Sequence, residues 1–279
     1  MMKQMLTVKH AEFNSVWIGD QLLAVANACI NSFKAHGHRF NLYTYNFVHD
    51  VPDFVERRDA EELVPKANIF QAHGGWEIAT EKVGYKFLRK IGGWWVDNDV
   101  VCNADAVPDV EIAFAEERVG MINNAVLRFP KNHTAINSLL DYIATIDPVT
   151  SRWGATGPLA LTKVFNELGL GHYKMSIADF YPLHWKEAPK LIFPEFTDEV
   201  FEKTAKSPFI HLWGATLREI GFDCAKWSPI EGSYLGILYK NNLDSHIQTR
   251  LVSFNEAEFR SSVREYTSRT WGVDLPIRT

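Results

Sequence analysis

Apolar residues recur along this chain with two different periods, and the switches between them predict its elements. Residues 13–19 form a short apolar run ending at Gly19, which predicts a first strand. Leu22, Val25, Ala26, Cys29, Ile30 and Phe33 then return at helical spacing, and Gly37 supplies a stop. Residues 40–45 alternate apolar and polar as a second strand. Strand, helix and strand in this order predict a βαβ unit with parallel strands and a right-handed crossover. Ligands bind at the carboxyl ends of such strands, which puts Trp17, Ile18, Gly19 and residues 43–45 at the ligand edge. Residues 46–68 are polar, with Pro52 and Pro65, and read as a loop with a short helix; residues 71–76 read as a flexible connection. A helix follows over 78–91, with Ala79, Val83 and Phe87 on one face. Strands are expected over 111–116 and 119–122, and helices over 135–143 and from Pro158 onward. Thr156 fits the N-cap of the second of these helices and Pro158 its first turn. Beyond Tyr173 the pattern predicts short strands and loops rich in Trp, Pro and His. The pattern as a whole is α/β: a mixed, mostly parallel sheet with helices on both faces.

One stretch carries candidate chemistry. The helix over 78–91 stops at Gly92 and Gly93, and Trp94, Trp95 and Val96 run into Asp97, Asn98 and Asp99 before Val100 and Val101. Carboxylates flanked by strand-forming apolar residues are costly to bury unless a cation compensates them. If all of these residues lie in one strand, Asp97 and Asp99 point the same way and converge on one ion. A hard divalent cation with oxygen ligands, Mn²⁺ or Mg²⁺, is the natural compensator. The alternative is a pair of acids at a strand end facing water.

Gly-Gly, two aromatics, an apolar residue and Asp-x-Asp after a helix resemble the DXD sugar-binding region of glycosyltransferases of the GT-A fold. The pattern is most similar to family 32, the α-1,4-glycosyltransferase and capsular-polysaccharide type. The resemblance implies a nucleotide-sugar donor, UDP-linked by default, and a divalent metal held between Asp99 and the diphosphate, with Asp97 near the ribose and sugar. It implies base stacking by Trp17, backbone contacts from Ile18 and Gly19, and a pocket lined by the strand containing Tyr43. It puts Asn123 and Asn124 at the transferred sugar or acceptor, and Thr156 and Gly157, in Thr-Gly-Pro, on the acceptor side. His211, in His-x-Trp with Trp213, would complete the metal site. Relatives carry Asp and Arg on the preceding helix where this chain has Glu81 and Gly84. Glu81 can still hold a hydroxyl, whereas Gly84 supplies no charge, leaving Lys82, Lys86 and Arg89 as the nearby cations. The implied domain covers residues 1–255, with a nucleotide-binding part over about 10–103, an acceptor-side part over 104–255, and a tail over 256–279. The implied reaction retains anomeric configuration, and the implied acceptor is a glycan or lipid-linked glycan of a bacterial surface.

Composition narrows the rivals. A net charge of −5 without a basic run argues against nucleic acid as a partner. The three cysteines lack metal-ligand spacing and read as buried thiols of a reducing compartment. No apolar run reaches the ~20 residues of a membrane span, and no signal-peptide pattern occurs, so the expected location is cytoplasmic. The tail, with Arg260, Arg264, Arg269 and Arg278 among Phe259, Tyr266 and Trp271, is either a helix packed on the body or a patch for anionic lipid. The rival functions are a haloacid-dehalogenase-type phosphohydrolase, which also places Asp-x-Asp after a strand, and a non-catalytic metal- or carbohydrate-binding protein. Against the phosphohydrolase, Val100 and Val101 follow the acids where a Thr or Ser is expected.

Overall fold

The computed structural model describes residues 6–73 and 75–278. Its centre is a five-stranded sheet. After a short strand β1 (Thr7–Lys9) come β2 (Glu12–Trp17), helix α1 (Ala24–Ala35), β3 (Arg39–Thr44), β4 (Glu56–Asp59), helix α2 (Glu77–Lys90) and β5 (Gly93–Val96). Then follow β6 (Val100–Cys102), β7 (Ala106–Pro108), β8 (Phe114–Arg118), β9 (Met121–Ile122) and β10 (Val126–Phe129). The central order is β10-β5-β2-β3-β4, with β5, β2, β3 and β4 parallel and β10 antiparallel to β5. The sheet is mixed and mostly parallel, as the opening βαβ pattern requires.

Alternation along the strands sends side chains to two cores. Phe13, Leu42, Trp94 and Val96 join Phe33 of α1 on one face; Val16, Tyr43 and Trp95 join Val83 and Phe87 of α2 on the other. Adjacent tryptophans thus serve opposite faces, the period-2 behaviour of a strand. Between them a buried amide relay fixes the register. Asn41 Nδ2 donates to Asn14 Oδ1 at 2.8 Å, and Asn14 Nδ2 donates to the Trp94 carbonyl at 3.0 Å.

The second half is more helical than its sequence suggests. It contains α3 (Thr134–Ile143), α4 (Pro158–Glu167), β11 (Lys174–Met175), α5 (Ile177–Phe180), α6 (Thr197–Thr204), β12 (Phe209–His211), α7 (Gly214–Glu219), α8 (Tyr234–Asn242), α9 (Ser245–Gln248) and α10 (Glu256–Tyr266). Residues expected as short strands beyond Tyr173 include 3₁₀ turns at Trp185–Leu191 and Pro194–Phe196. Pro189 and Pro194 favour such turns and cannot donate to a sheet ladder. The polar stretch 46–68 hides the strand β4, an edge whose side chains are all exposed and so leave no apolar period to read.

The arginine-rich tail is a helix on the body. Phe259, Val263, Leu275 and Ile277 are buried in the same core as Phe13 and Phe33, and Arg260 pairs with Glu195 at 2.7 Å. No helix among the described residues is long and apolar enough to cross a membrane.

Candidate active site

The site is built where β5 leaves the sheet. Gly92 turns the end of α2 at φ +80°, where a Cβ would stand 2.4 Å from the Lys131 amide nitrogen, so only glycine fits. The expectation of one continuous strand through the acids is corrected here. β5 ends at Val96, and Asp97, Asn98 and Asp99 form a tight turn closed by the Val100 N–H donating to the Asp97 carbonyl at 3.2 Å. Asn98 Nδ2 donates to the Val16 carbonyl at 2.7 Å and moors the turn to the carboxyl end of β2. The two acids converge through this turn rather than through strand alternation.

After the turn, β6 leaves the main sheet and pairs antiparallel with β12, setting Val100 opposite His211. The Leu212 N–H donates to the Asp99 carbonyl at 2.9 Å. Trp213 then adopts φ +57°, which swings the chain so that the Gly214 N–H donates to Asp99 Oδ2 at 2.7 Å. His211 Nε2 lies 3.3 Å from the same oxygen. One ligand atom from each of Asp97, Asp99 and His211 falls within 4.8 Å of the others. The His211 ring is held between Trp213, at 4.1 Å between centroids, and Tyr181, at 6.0 Å.

Electrostatics separate the two acids. Burial and the neighbouring Asp99 charge raise Asp97 well above the carboxylate range, to about 7. Burial would also raise Asp99, but His211, the Gly214 N–H and the Arg218 charge outweigh it and lower it to about 2. Burial opposes a charged imidazole at His211, yet Asp99 and then Asp97 outweigh it and raise its pKa. His211 Nδ1 is buried without a hydrogen-bond partner. Two carboxylates and an imidazole with a free ring nitrogen fit a divalent ion that accepts mixed oxygen and nitrogen ligands.

A second acid pocket adjoins the first. Thr156 Oγ1 donates to Glu81 Oε2 at 2.6 Å, so the hydroxyl expected to cap α4 is used across the cleft, and Gly157 takes the N-cap position without a side-chain bond. A Cβ at Gly157 would stand 2.1 Å from Glu81 Oε1 and 3.2 Å from Asn124 Oδ1. Glu81, Asn124, Thr156 and Gly157, spread over 76 positions, are thereby brought together. Burial, with the charges of Asp97 and Glu77, raises Glu81 to about 8 against the opposing Thr156 bond.

Other residues singled out in the sequence have structural partners. Trp17 folds over Gly19, its Nε1 donating to the Gln21 carbonyl at 3.1 Å, while Ile18 packs against the second core. Tyr43 is 5% exposed inside that core, its ring 5.8 Å from Phe87. Asn123 is satisfied internally, donating to Glu117 and accepting from the Ala125 N–H. Trp213 Nε1 donates to the Leu183 carbonyl at 2.9 Å.

Gly84 is explained by Trp95, whose Cε2 would lie 2.6 Å from a Cβ at that position, leaving no room for any longer side chain. Lys82 donates to the Asn68 carbonyl, and the charges felt by Lys86 are those of Arg89, Lys82 and Asp141. The guanidinium whose charge reaches Asp99 is Arg218 of α7, a residue sequence reading missed. Gly214 and Asn98, which orient the acids, were missed as well. The spacing of a glycine three residues after His211 was the available signal for the first, and a hydrogen-bonding side chain between two ligand candidates the signal for the second.

No protein-family model matches the chain, and no curated protein is similar enough to count as a relative. Solved structures do resemble it. The bifunctional glycosyltransferase WbbM superposes with a TM-score of 0.51 at 13% identity, over 88% of this chain and 52% of its own. This chain therefore spans about half the length of that enzyme. The glycosyltransferase GlyE of Streptococcus pneumoniae TIGR4 gives a TM-score of 0.45 at 12% identity over 98% of this chain and 66% of its own. The galactosyltransferase LgtC, solved with donor and acceptor sugar analogues, gives 0.43 at 12% identity over 90% and 99%. The mixed sheet with its helices, together with the WbbM likeness, is the GT-A fold of glycosyltransferases.

Proposed function

We propose that this chain is a metal-dependent glycosyltransferase of family-32 type. It moves a sugar from a nucleotide-sugar, UDP-linked, to a glycan or lipid-linked glycan acceptor with retention, in bacterial surface polysaccharide synthesis on the cytoplasmic side. The observation that carries this reading is the cluster of Asp97 and Asp99, on a turn at the carboxyl end of β2 and β5, with His211 at the end of β12; that edge is where open α/β sheets bind ligands. The fold and the absence of a Thr or Ser after the acids both favour it over the phosphohydrolase.

Asp97, Asp99 and His211 would hold Mn²⁺ or Mg²⁺. Such an ion supplies Lewis acidity toward a leaving diphosphate. The chain's own groups prepare the rest. The Gly214 N–H and the β6–β12 ladder fix the Asp99 carboxylate, and Trp213 and Tyr181 fix the imidazole plane. Glu81, protonated near neutrality, presents a carboxyl that both donates and accepts, suited to a sugar or ribose hydroxyl. Asn124 adds an amide to the same pocket, and Gly157 keeps it open. Trp17, Ile18 and Gly19, at the carboxyl end of β2, would border the base.

The test is calorimetric titration of UDP with and without Mn²⁺ on wild type and on Asp99→Ala. Binding that needs Mn²⁺ and falls at least about 100-fold in the variant is expected, a loss of about 2.7 kcal/mol. If neither UDP nor GDP, ADP or CDP binds the wild type, the reading fails.

A further inference from the structure

A strap of opposite charges crosses the mouth of this site. Arg218, in the last turn of α7, donates from Nη2 to Glu77 Oε1 at 3.1 Å, and Glu77 is the first residue of α2. The two lie 141 positions apart and belong to opposite walls: α2 packs on the central sheet and α3, whereas α7 packs on the 3₁₀ turn Trp185–Leu191. Their side chains are 55% and 44% exposed, so the pair faces solvent rather than the core. The pair lies about one helical turn from the acids. Glu77 precedes Glu81 by four residues on α2, and Arg218 follows Gly214, whose N–H donates to Asp99, by four on α7. Arg218 accordingly lowers Asp99, while Glu77 raises Asp97 and Glu81.

The Glu77 carboxylate lies over Gly75: a Cβ there would stand 1.9 Å from Glu77 Oε2 and push the carboxylate from its present place. The preceding backbone closes on itself through the reciprocal Ala72 and Gly75 hydrogen bonds of 3.0 and 3.1 Å. This places a further acid beside Asp97, Asp99 and Glu81, where another negative charge is electrostatically unfavourable, and its partner there is Arg218.

We infer that Arg218 is the cation that binds the phosphates of the nucleoside diphosphate, and that Glu77 occupies this guanidinium in the free enzyme as a competitor the phosphates displace. The inference rests on the proposed nucleotide-sugar reading. The charge balance requires such a group. Two carboxylates neutralise one divalent ion, so a diphosphate entering beside them brings several negative charges with no remaining compensation. A guanidinium matches phosphate oxygens in a two-pronged geometry, and phosphate is the stronger acceptor. An exposed carboxylate–guanidinium pair is worth little, so displacing it costs little.

The experiment titrates a panel of UDP, GDP, ADP and CDP with Mn²⁺ into wild type, Arg218→Gln and Glu77→Gln, and repeats the tightest ligand as its nucleoside monophosphate. Arg218→Gln is expected to weaken the diphosphate about 10- to 100-fold, and Glu77→Gln to tighten it about 2- to 5-fold. The monophosphate should respond less to both changes. Equal affinities for wild type and both variants would overturn the inference and leave the proposed function standing, as would weaker binding by Glu77→Gln. If no diphosphate binds the wild type, the nucleotide-sugar reading and this inference fall together.

Discussion

Among the described residues three carboxylate–imidazole pairs occur; His36–Asp105 lies at the surface, and the other two, Asp50–His246 and Asp99–His211, differ in what surrounds them. Asp50 accepts from Gln21, Arg250 and His246, so both of its oxygens meet donors of the chain itself. Burial alone would raise its pKa, but those three bonds lower it to about 2. Asp99 also faces a histidine and is also lowered, yet its neighbour Asp97 is a second acid, and His211 keeps one ring nitrogen without a partner. The first pair is closed, tying the loop after β3 to the segment around α9. The second is short of positive charge and has a donor atom to spare. A carboxylate beside a histidine is thus no signature of function by itself; the unfinished partnership is.

The sharpest way to break this comparison is to remove each imidazole. His211→Ala is expected to weaken Mn²⁺-dependent UDP binding about 100-fold, roughly 2.7 kcal/mol, while His246→Ala leaves it unchanged; equal losses in the two titrations would erase the distinction. Next in size, Asp50→Asn should lower stability by about 1–2 kcal/mol at pH 7, because Arg250 loses its charged partner. The sign follows from the depressed pKa. The contribution is present above the ordinary carboxylate range near 4 and is lost as pH falls toward about 2. Thermal melts at pH 7, 4 and 3 should therefore show the gap between variant and wild type shrinking with acid, without any change in nucleotide affinity.

The smallest effect concerns the neighbouring pocket. Glu81 has a raised pKa, about 8, so the folded chain holds a proton that the unfolded chain releases between the ordinary glutamate range and pH 8. Stability from this group is full below that ordinary range and declines as pH rises toward 8. Glu81→Gln removes the dependence. Its melting temperature relative to wild type should be higher at pH 8 than at pH 5 by a few degrees, each 1 kcal/mol being worth about 2–4 °C at this size. A pH-independent difference would mean that Glu81 is ionised in the folded chain.

How much of this could be read beforehand depended on whether a feature was local. The opening βαβ unit, the glycine stop and the apolar strand into Asp97 are encoded within a few residues of one another, and they stand where expected. The convergence of Asp97 and Asp99 was legible, but its geometry was not, because a turn and a strand are both compatible with Val-Asp-Asn-Asp-Val. The exposed edge strand β4 gave no apolar period to detect. Glu81 was visible only through a resemblance, and Thr156 was read as a helix cap as well; that Thr156 donates to Glu81, 75 positions away, is a fact of packing. Arg218 left no local mark, since an arginine late in a helix is commonplace until its charge is found next to an acid.

The ladder between β6 and β12 has a consequence for how the protein is made. Val100 finds its strand partner 111 positions later, at His211, and the Asp99 carboxylate finds its amide at Gly214. While the chain is being synthesised from its amino end, the βαβ half can pair its parallel strands, but Val100–Cys102 remains an unpaired apolar edge. Such edges invite association between nascent chains. The Asp97–Asp99–His211 cluster is therefore among the last features to be completed on the ribosome, and release of any fragment ending before Phe209 would leave both a sticky edge and a pair of acids without their imidazole.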